Sequence, residues 1–458
     1  MKRIVTIAGS DTGGGAGIQA DLKTIAALEG HGMSVITALT AQNSLGIQSV
    51  YPIPLPFIEA QMDAVFTDLA ANAAKTGMLW DGEVVKLVAA KMKQYRVEKL
   101  VIDPLIAATD GTPLLDEAGR DALRRELLPL ASLVTPNLAE AAALAVMEVR
   151  TTKEMREAAK RIRGYGVEAV LVKGGHLEGD PVDILLDGEG YTEFSSERVA
   201  VSDVHGTGCV LSAAIATILA QGASLQDALQ RGREVTLASI KASFMIGKGK
   251  RIGKGRRFAH PPAYAAMEGE RYHVIEALEE AVAQLKGEAH IGGLIPEVSS
   301  NLGYALSLAQ DKNDVAAFPG RIIRFQDGIA TIASPAFGAS QHIASIILTV
   351  MEHDPSFRSA MNIRYSPVIM QGCKDAGLHV IGFDRGEEPR EVAEAEGRSL
   401  GWGVQKVLID AGKVPDVVYD EGGWGKEPMV RILGKDPAEV VGKVIKIKRR
   451  CYDSDATR

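Results

Sequence analysis

Cysteine is scarce in this chain of 458 residues, with only Cys209, Cys373 and Cys451. Thiols so few and scattered argue against a disulfide framework or a Cys-rich zinc site, and they fit a reducing cytoplasm. No stretch has the ~20 uninterrupted apolar residues that a membrane helix needs, so no membrane partner is expected. The opening "MKRIVTIAGSD" has two basic residues and a short apolar run but no small-residue cleavage site. It reads as a first β-strand, not as a signal peptide. Positive charge is not in excess either. The net charge of −7 argues against nonspecific nucleic-acid binding, which depends on a basic surface that neutralises phosphates. The Gly-Lys-Ser/Thr ending of a P-loop and the dinucleotide fingerprint are both missing, and neither an internal repeat nor a helix-turn-helix is evident.

What is present is an ordinary globular composition, 46% hydrophobic and 24% charged, in a chain about three times a modal domain. Short apolar, β-branched runs such as "VEKLVIDPLI", "LASLVTPN" and "VEAVLVKGG" alternate with helical stretches. That alternation predicts a parallel α/β sheet with functional residues at strand C-ends. The alternation stops after "DALQRGREVTLASIKASFMI". The Gly/Lys/Arg-rich "GKGKRIGKGRRFAHPPAY" that follows cannot build a core, so a solvated linker is expected over 258–272. A second module, 273–458, begins with the helically spaced "VIEALEEAVAQLK".

Three motifs carry chemistry. In "HGTGCVLSAAIATILA", Gly206-Thr207-Gly208 precede a helix-length apolar run. The turn should deliver free N–H groups at a helix N-terminus, where an anion such as phosphate binds. Cys209 in that turn would have its pKa lowered by the dipole, although a lone cysteine there is equally well a small buried hydrophobe. "AGSDTGGGAGIQADLKT" places four glycines between Gly13 and Gly17, ahead of a helix starting near Ile18. "TPNLAEAAAL" puts Asn137 and Glu140 on one helical face after a strand. The pair could hold a hydrated magnesium ion, or simply cap the helix.

In this order the motifs resemble the ribokinase-like family, specifically its hydroxymethylpyrimidine/phosphomethylpyrimidine kinases. The likeness runs through "TIAGSDTGGGAGIQADLKT", "SVITALTAQNSLGIQSV", "KTGML", "TPNLAEAAAL", "VLVKGGH" and "HGTGC" over residues 1–257. It implies a three-layer α/β/α kinase domain that uses MgATP to phosphorylate 4-amino-5-hydroxymethyl-2-methylpyrimidine and then its monophosphate. By the same resemblance Gly9, Asp21, Thr40, Gln42 and Met78 line the pyrimidine pocket. A carboxamide such as Gln42 offers both a donor and an acceptor to an aminopyrimidine edge. Asp103 and Glu140 fall near magnesium, which they would hold through water, while Asn137, Lys173, Gly206, Thr207 and Gly208 fall near ATP phosphates. Cys209 takes the place of the catalytic base. A base matters when the acceptor is an alcohol and not when it is a phosphate monoester, which is already ionised, so one site would serve both transfers. Related kinases suggest a homodimer.

The second module has Arg321 after a Phe-Pro-Gly turn and His342 in a Ser-Gln-His segment that opens a helix. With "GFDRGEEP", "GWGVQ" and "DVVYDEGGWGKEP" it resembles the ThiN-type thiamine-phosphate synthase domain, which implies a smaller α/β domain that joins pyrimidine pyrophosphate to thiazole phosphate. The resemblance puts Arg321 and His342 at the two catalytic positions, where a guanidinium would clamp the leaving pyrophosphate. Asn362, Arg364, Asp384 and Arg385 are secondary candidates. Two alternatives stand beside these expectations: a kinase that prefers pyridoxine, and a C-terminal ligand sensor in place of an enzyme.

Overall fold

The computed structural model describes all residues except 108–111, 176, 178, 197, 200, 202–203, 248–249, 251–254, 310, 389–398, 424–425 and 453–458, and the side chains of 399–401 and 410. His176, Pro389, Trp424 and Gly425, quoted in the motifs above, and six residues of the basic run therefore lie outside the described residues. The chain divides into two compact units, Met1–Ala266 and Met267–Arg458.

In the first unit, β1 (Arg3–Asp11), β2 (His31–Asn43), β3 (Gly46–Pro52), β4 (Ala73–Thr76), β5 (Leu100–Ile102), β6 (Leu133–Val134), β7 (Ala169–Val172), β8 (Val182–Leu186) and β9 (Tyr191–Ser195) form one sheet in the order β3-β2-β1-β4-β5-β6-β7-β8-β9. The pairs from β2 through β7 are parallel, while β3, β8 and β9 add antiparallel edges. Both faces are covered. Val5, Ile7, Leu100, Ile102, Val134 and Val170 belong to one core with the helices Gly82–Gln94 and Thr152–Arg163. Ile4, Val101, Leu133 and Leu171 pack on the other face against the helix Thr207–Gln221. This doubly covered sheet explains why the strands read as continuous apolar runs. The order reverses direction at β1 and β4, so their C-terminal ends open the crevice in which α/β sheets bind ligands.

The expected linker is not a solvated tether. Strand β10 (Val204–His205) pairs in parallel with β11 (Arg257–Phe258), and Phe258, Ala259 and Ala263 are buried. A helix starts at Pro262 and runs to Lys286. Composition misled because proline is well suited to the first turn of a helix, and because one aromatic residue, Phe258, anchors the end of the basic run.

The second unit is built on a sheet of β12 (Leu302–Ala305), β13 (Val315–Ala317), β16 (Ala336–Phe337), β17 (Ser359–Arg364), β18 (Val380–Gly382), β19 (Val417–Asp420) and β20 (Met429–Gly434), ordered β16-β13-β12-β17-β20-β19-β18. Among the described residues of this sheet, only β18 and β19 pair in parallel. Alternate residues serve opposite faces. Met361, Ile363, Val430 and Ile432 face one core, with the helix Pro437–Tyr452, and Ala360 and Leu433 face the other, with the helix Gln341–His353. The unit is thus α/β with helices on both sides. A hairpin, β14 (Ile322–Phe325) and β15 (Gly328–Thr331), stands outside the sheet.

Candidate functional site

The first site gathers at the strand C-ends of the first unit. Gly206, at φ +89°, caps the helix Thr207–Gln221, and a Cβ there would lie 1.8 Å from the Gly15 carbonyl oxygen. Only glycine fits that contact, which seats the first glycine-rich loop against the helix N-terminus. Gly17, at φ +55°, is equally tight, since a Cβ would come 2.4 Å from the Gly9 oxygen. Asp11 holds the loop from within: its carboxylate accepts from the N–H groups of Gly13, Gly15 and Ala16 at 2.8–3.0 Å. These bonds, with His205, keep the Asp11 pKa below the usual value despite the opposing effect of burial, the largest single influence.

Around the helix N-terminus the expected charged residues converge. Asp103 follows β5 and Lys173 follows β7, and Lys173 Nζ donates to Asp103 Oδ1 at 3.2 Å. The same ammonium is 4.0 Å from Glu140 Oε2. A Cβ at Gly208 would meet Lys173 Nζ at 3.2 Å and Asp103 Oδ2 at 3.5 Å, so the Gly206-Thr207-Gly208 turn, Asp103 and Lys173 border one space. Asn137 and Glu140 make a reciprocal cap: Glu140 N donates to Asn137 Oδ1 at 2.9 Å, and Asn137 N donates to Glu140 Oε2 at 2.8 Å. The capping alternative is therefore real, and it leaves Glu140 Oε1 uncommitted to that box. Burial above all pushes the Glu140 pKa up to about 7, against the pull of Lys173.

The expectation for the Cys209 thiol is corrected. The thiol is buried, and burial pushes its pKa up to about 12. Lys75 and a Gly17 N–H bond pull it down, but Asp21 and Asp103 add negative potential. Desolvation outweighs the helix dipole on which the sequence argument relied. Asp21 also differs from its expected place. Its carboxylate accepts from Lys75 Nζ at 2.9 Å on both oxygens and from Thr6 Oγ1 at 2.6 Å, with no exposure. It lies beneath the crevice as half of a buried ion pair, not in its lining.

The remaining pocket candidates lie on β1, on β2 and just past β4. A Cβ at Gly9 would be 3.0 Å from Met78 Sδ; Thr40 Oγ1 donates to the Ser10 oxygen at 2.9 Å. Gln42 is half-buried, its backbone clasped by Thr12 Oγ1 at 2.7 and 2.8 Å.

In the second unit, Arg321 and His342 are brought together. They line a cleft of about 510 Å³ with Lys312, Asn301, Ser340 and Gln341. Among the described residues, no carboxylate lines it. Ser340 caps the helix Gln341–His353, so that helix's N-terminus opens into a basic cleft. Arg321 sits at φ +69°, a left-handed conformation that costs a non-glycine residue on the order of 1 kcal/mol or more. Of the secondary candidates, Arg364 is exposed, while Asp384 accepts from Gly386 N and Asn362 and Arg385 are committed to internal bonds. Asn362 braces Asn301 N at 2.7 Å and the Ser299 oxygen at 3.1 Å, and Arg385 pairs with buried Asp420 at 2.5 Å.

Sequence reasoning missed Lys75, His205 and Lys312. Lys75 left a signal, a lysine inside the apolar strand "AAKT". Lys312, in "QDKND", left none.

A doubly wound sheet, with a glycine-built anion cradle at its switch point, defines a ribokinase-like α/β kinase. The chain belongs to the phosphomethylpyrimidine kinase family, whose model matches residues 11–254; behind it, residues 277–446 match the thiamine-phosphate synthase ThiN model. The bifunctional thiamine biosynthesis protein ThiDN of Methanocaldococcus jannaschii is 34% identical over 97% of this chain and 98% of its own length. The hydroxymethylpyrimidine/phosphomethylpyrimidine kinase of Escherichia coli K12 is 43% identical over 56% of this chain and 98% of its own. The bifunctional ThiED protein of Geobacter sulfurreducens is 46% identical over 54% of this chain, a match that spans half of that protein. Among solved structures, the ADP complex of Bacillus subtilis pyridoxal kinase superposes with a TM-score of 0.52 at 37% identity, over 57% of this chain and 97% of that one.

Proposed function

We propose that the chain carries two enzymes of thiamine biosynthesis that act in sequence. The first unit is a hydroxymethylpyrimidine and phosphomethylpyrimidine kinase with ATP as co-substrate, and the second a thiamine-phosphate synthase. The observation that carries the kinase assignment is the convergence of Gly206-Thr207-Gly208, Asp103 and Lys173 at the helix N-terminus. Backbone N–H groups and Lys173 would receive the transferring phosphoryl group, where phosphoryl transfer depends mainly on positioning and charge.

Magnesium fits this donor set. Among the described residues no three His, Cys, Asp or Glu side chains group into a metal cage, but magnesium needs only one or two carboxylates beside phosphates and water. Asp103 and Glu140 would hold it, and it would screen the phosphate charge. Gln42 reads the pyrimidine edge, with Gly9, Thr40 and Met78 forming the pocket and Asn137 placing Glu140. Cys209 receives the proton of the hydroxymethyl group in the first transfer. Its buried thiol must first give its own proton to solvent, so that step is the more demanding of the two; the second acceptor, an ionised phosphate, needs no base.

In the second unit, Arg321 and His342 face the departing pyrophosphate, Arg321 as a fork for its oxygens and His342 as a proton or hydrogen-bond donor. The cations Arg321 and Lys312 in the cleft lining support an anionic occupant.

A homodimer is supported by the exposed Leu39 and Tyr51, which face each other across β2 and the edge strand β3; light scattering on the purified chain tests it. The kinase assignment is tested by measuring the two phosphorylations separately in wild type, Cys209→Ala and Cys209→Ser. Loss of the first transfer by at least about 100-fold, with the second retained, supports the division of labour. Equal loss of both removes the base role.

A further inference from the structure

Arg321 is tied to a turn that is itself held from behind. Residues 296–299 form a β-turn closed by Ser299 N, which donates to the Pro296 oxygen at 3.0 Å. The two N–H groups in the middle of the turn both go to one carboxylate, that of Glu427 in the "GGWGKEP" motif ahead of β20. Glu297 N donates to Glu427 Oε1 at 3.0 Å and Val298 N to Oε2 at 3.2 Å. Asn362, on β17, fastens the end of the turn. Its Nδ2 donates to the Ser299 oxygen at 3.1 Å, and its Oδ1 accepts from Asn301 N at 2.7 Å. The Val298 carbonyl points the other way and accepts from Arg321 Nη1. The two segments run side by side, since Ser300 and Ile322 exchange backbone bonds at 3.0 and 2.8 Å. Ser299 sits at φ +69°, a conformation that persists only where its surroundings impose it.

From this geometry we infer that Glu427 is a positioning residue for thiamine phosphate synthesis, which fixes the turn whose Val298 carbonyl aims the Arg321 guanidinium at the departing pyrophosphate. The inference rests on the proposal that Arg321 receives that pyrophosphate. Arg321 is exposed, so packing does not fix its long side chain, and the bond to Val298 limits its rotation instead. That bond occupies Nη1. It leaves Nε and Nη2, which point the same way, as the fork for two pyrophosphate oxygens. Glu427 is not part of the described cleft lining, and both its oxygens are given to N–H groups, so its charge is not set against the anion. Without the carboxylate, the two N–H groups turn to water, Ser299 relaxes from its left-handed conformation, and the carbonyl that holds Arg321 moves with it.

The test supplies the full chain with pyrimidine pyrophosphate and thiazole phosphate, and measures kcat and KM for synthesis beside the two kinase steps. Glu427→Ala should lower kcat for synthesis about tenfold, the weight of one misdirected charge-assisted hydrogen bond, with KM for the pyrimidine pyrophosphate little changed and both kinase steps intact. Glu427→Gln keeps one acceptor oxygen and the shape of the side chain. It should lose less than the alanine variant, and it serves if that variant does not fold. The decisive background is Arg321→Lys, which has no fork to aim. There Glu427→Ala should cost less than about twofold, because the two substitutions act on one interaction. The same tenfold loss in both backgrounds would mean that Glu427 acts independently of Arg321 and would overturn the inference. Full synthesis in Glu427→Ala, with Arg321→Lys impaired, would overturn it too while leaving Arg321 in the reaction. Full synthesis in Arg321→Lys and in Arg321→Gly would remove the reading of Arg321 itself, and this inference with it.

Discussion

Lys75 Nζ lies 2.9 Å from both carboxylate oxygens of Asp21, and neither side chain is exposed. The Asp21 carboxylate holds the Lys75 ammonium well above its usual pKa against the opposing effect of burial, and the pair sets the field beneath Cys209. Each partner makes the other tolerable in a place where water cannot reach. Lys75→Met or Asp21→Asn alone should therefore destabilise the kinase unit by about 3–5 kcal/mol. The double variant should recover much of that loss, because two buried neutral groups cost less than one stranded charge. Calorimetry of the full chain measures both. Additive losses in the double variant would contradict the coupling.

The glycine at 206 makes a sharper test. With φ at +89° and a Cβ destined for 1.8 Å from the Gly15 oxygen, Gly206→Ala must push the glycine-rich loop off the helix N-terminus. Kinase turnover should fall at least about 100-fold, since a displacement near 1 Å costs that much in a positioned site. Gly222, also in the left-handed region at φ +102° but with open space around it, is the control. Gly222→Ala should lower stability by about 1 kcal/mol and leave turnover of the folded enzyme unchanged.

Thiol reactivity follows from burial. With its pKa pushed up to about 12, Cys209 has a thiolate fraction of only about one ten-thousandth at pH 8. In the ligand-free enzyme, iodoacetamide should label the partly exposed Cys451 well before Cys209 or the buried Cys373. Raising the pH favours the thiolate, so labelling of Cys209 should climb only where its environment opens. Peptide mass spectrometry reads the order. Rapid labelling of Cys209 near neutrality would show that the thiol is activated before any ligand binds.

Much of the kinase site was legible in the sequence because its parts are local. Glycines 13–17 and 206–208 announce backbone turns by themselves, and Asn137 and Glu140 carry their spacing with them. What was not legible is burial. What raises the Cys209 pKa is burial first, with Asp21 and Asp103 adding to it and Lys75 opposing, a balance that sequence separation hides, and Lys75, the buried partner of Asp21, lies across the sheet on β4. The basic run after residue 246 was read as a linker, yet pairing of β10 with β11 anchors its end at Phe258. In the second unit, Arg321 and His342 were both readable beside turns. Their meeting in one cleft depends on the antiparallel pairing of β13 with β16, which no local pattern records.

The left-handed backbone of Arg321 separates stability from function in that cleft. Arg321→Gly relieves the conformation at φ +69° and should leave the melting temperature no lower, while thiamine phosphate formation drops at least about 100-fold and the kinase steps stay intact. Lys312→Ala should cost synthesis about tenfold, as expected for one cation beside a leaving anion. A stable Arg321→Gly chain with full synthase turnover would remove Arg321 from the reaction.

The most direct measurement supplies the purified chain with hydroxymethylpyrimidine, MgATP and thiazole phosphate, omits each in turn, and follows products by mass spectrometry. Thiamine phosphate should appear only in the complete mixture, with pyrimidine mono- and diphosphate forming when thiazole phosphate is withheld. Accumulation of the pyrimidine diphosphate with no thiamine phosphate, in the presence of all three, would contradict the assignment of the second unit as an enzyme.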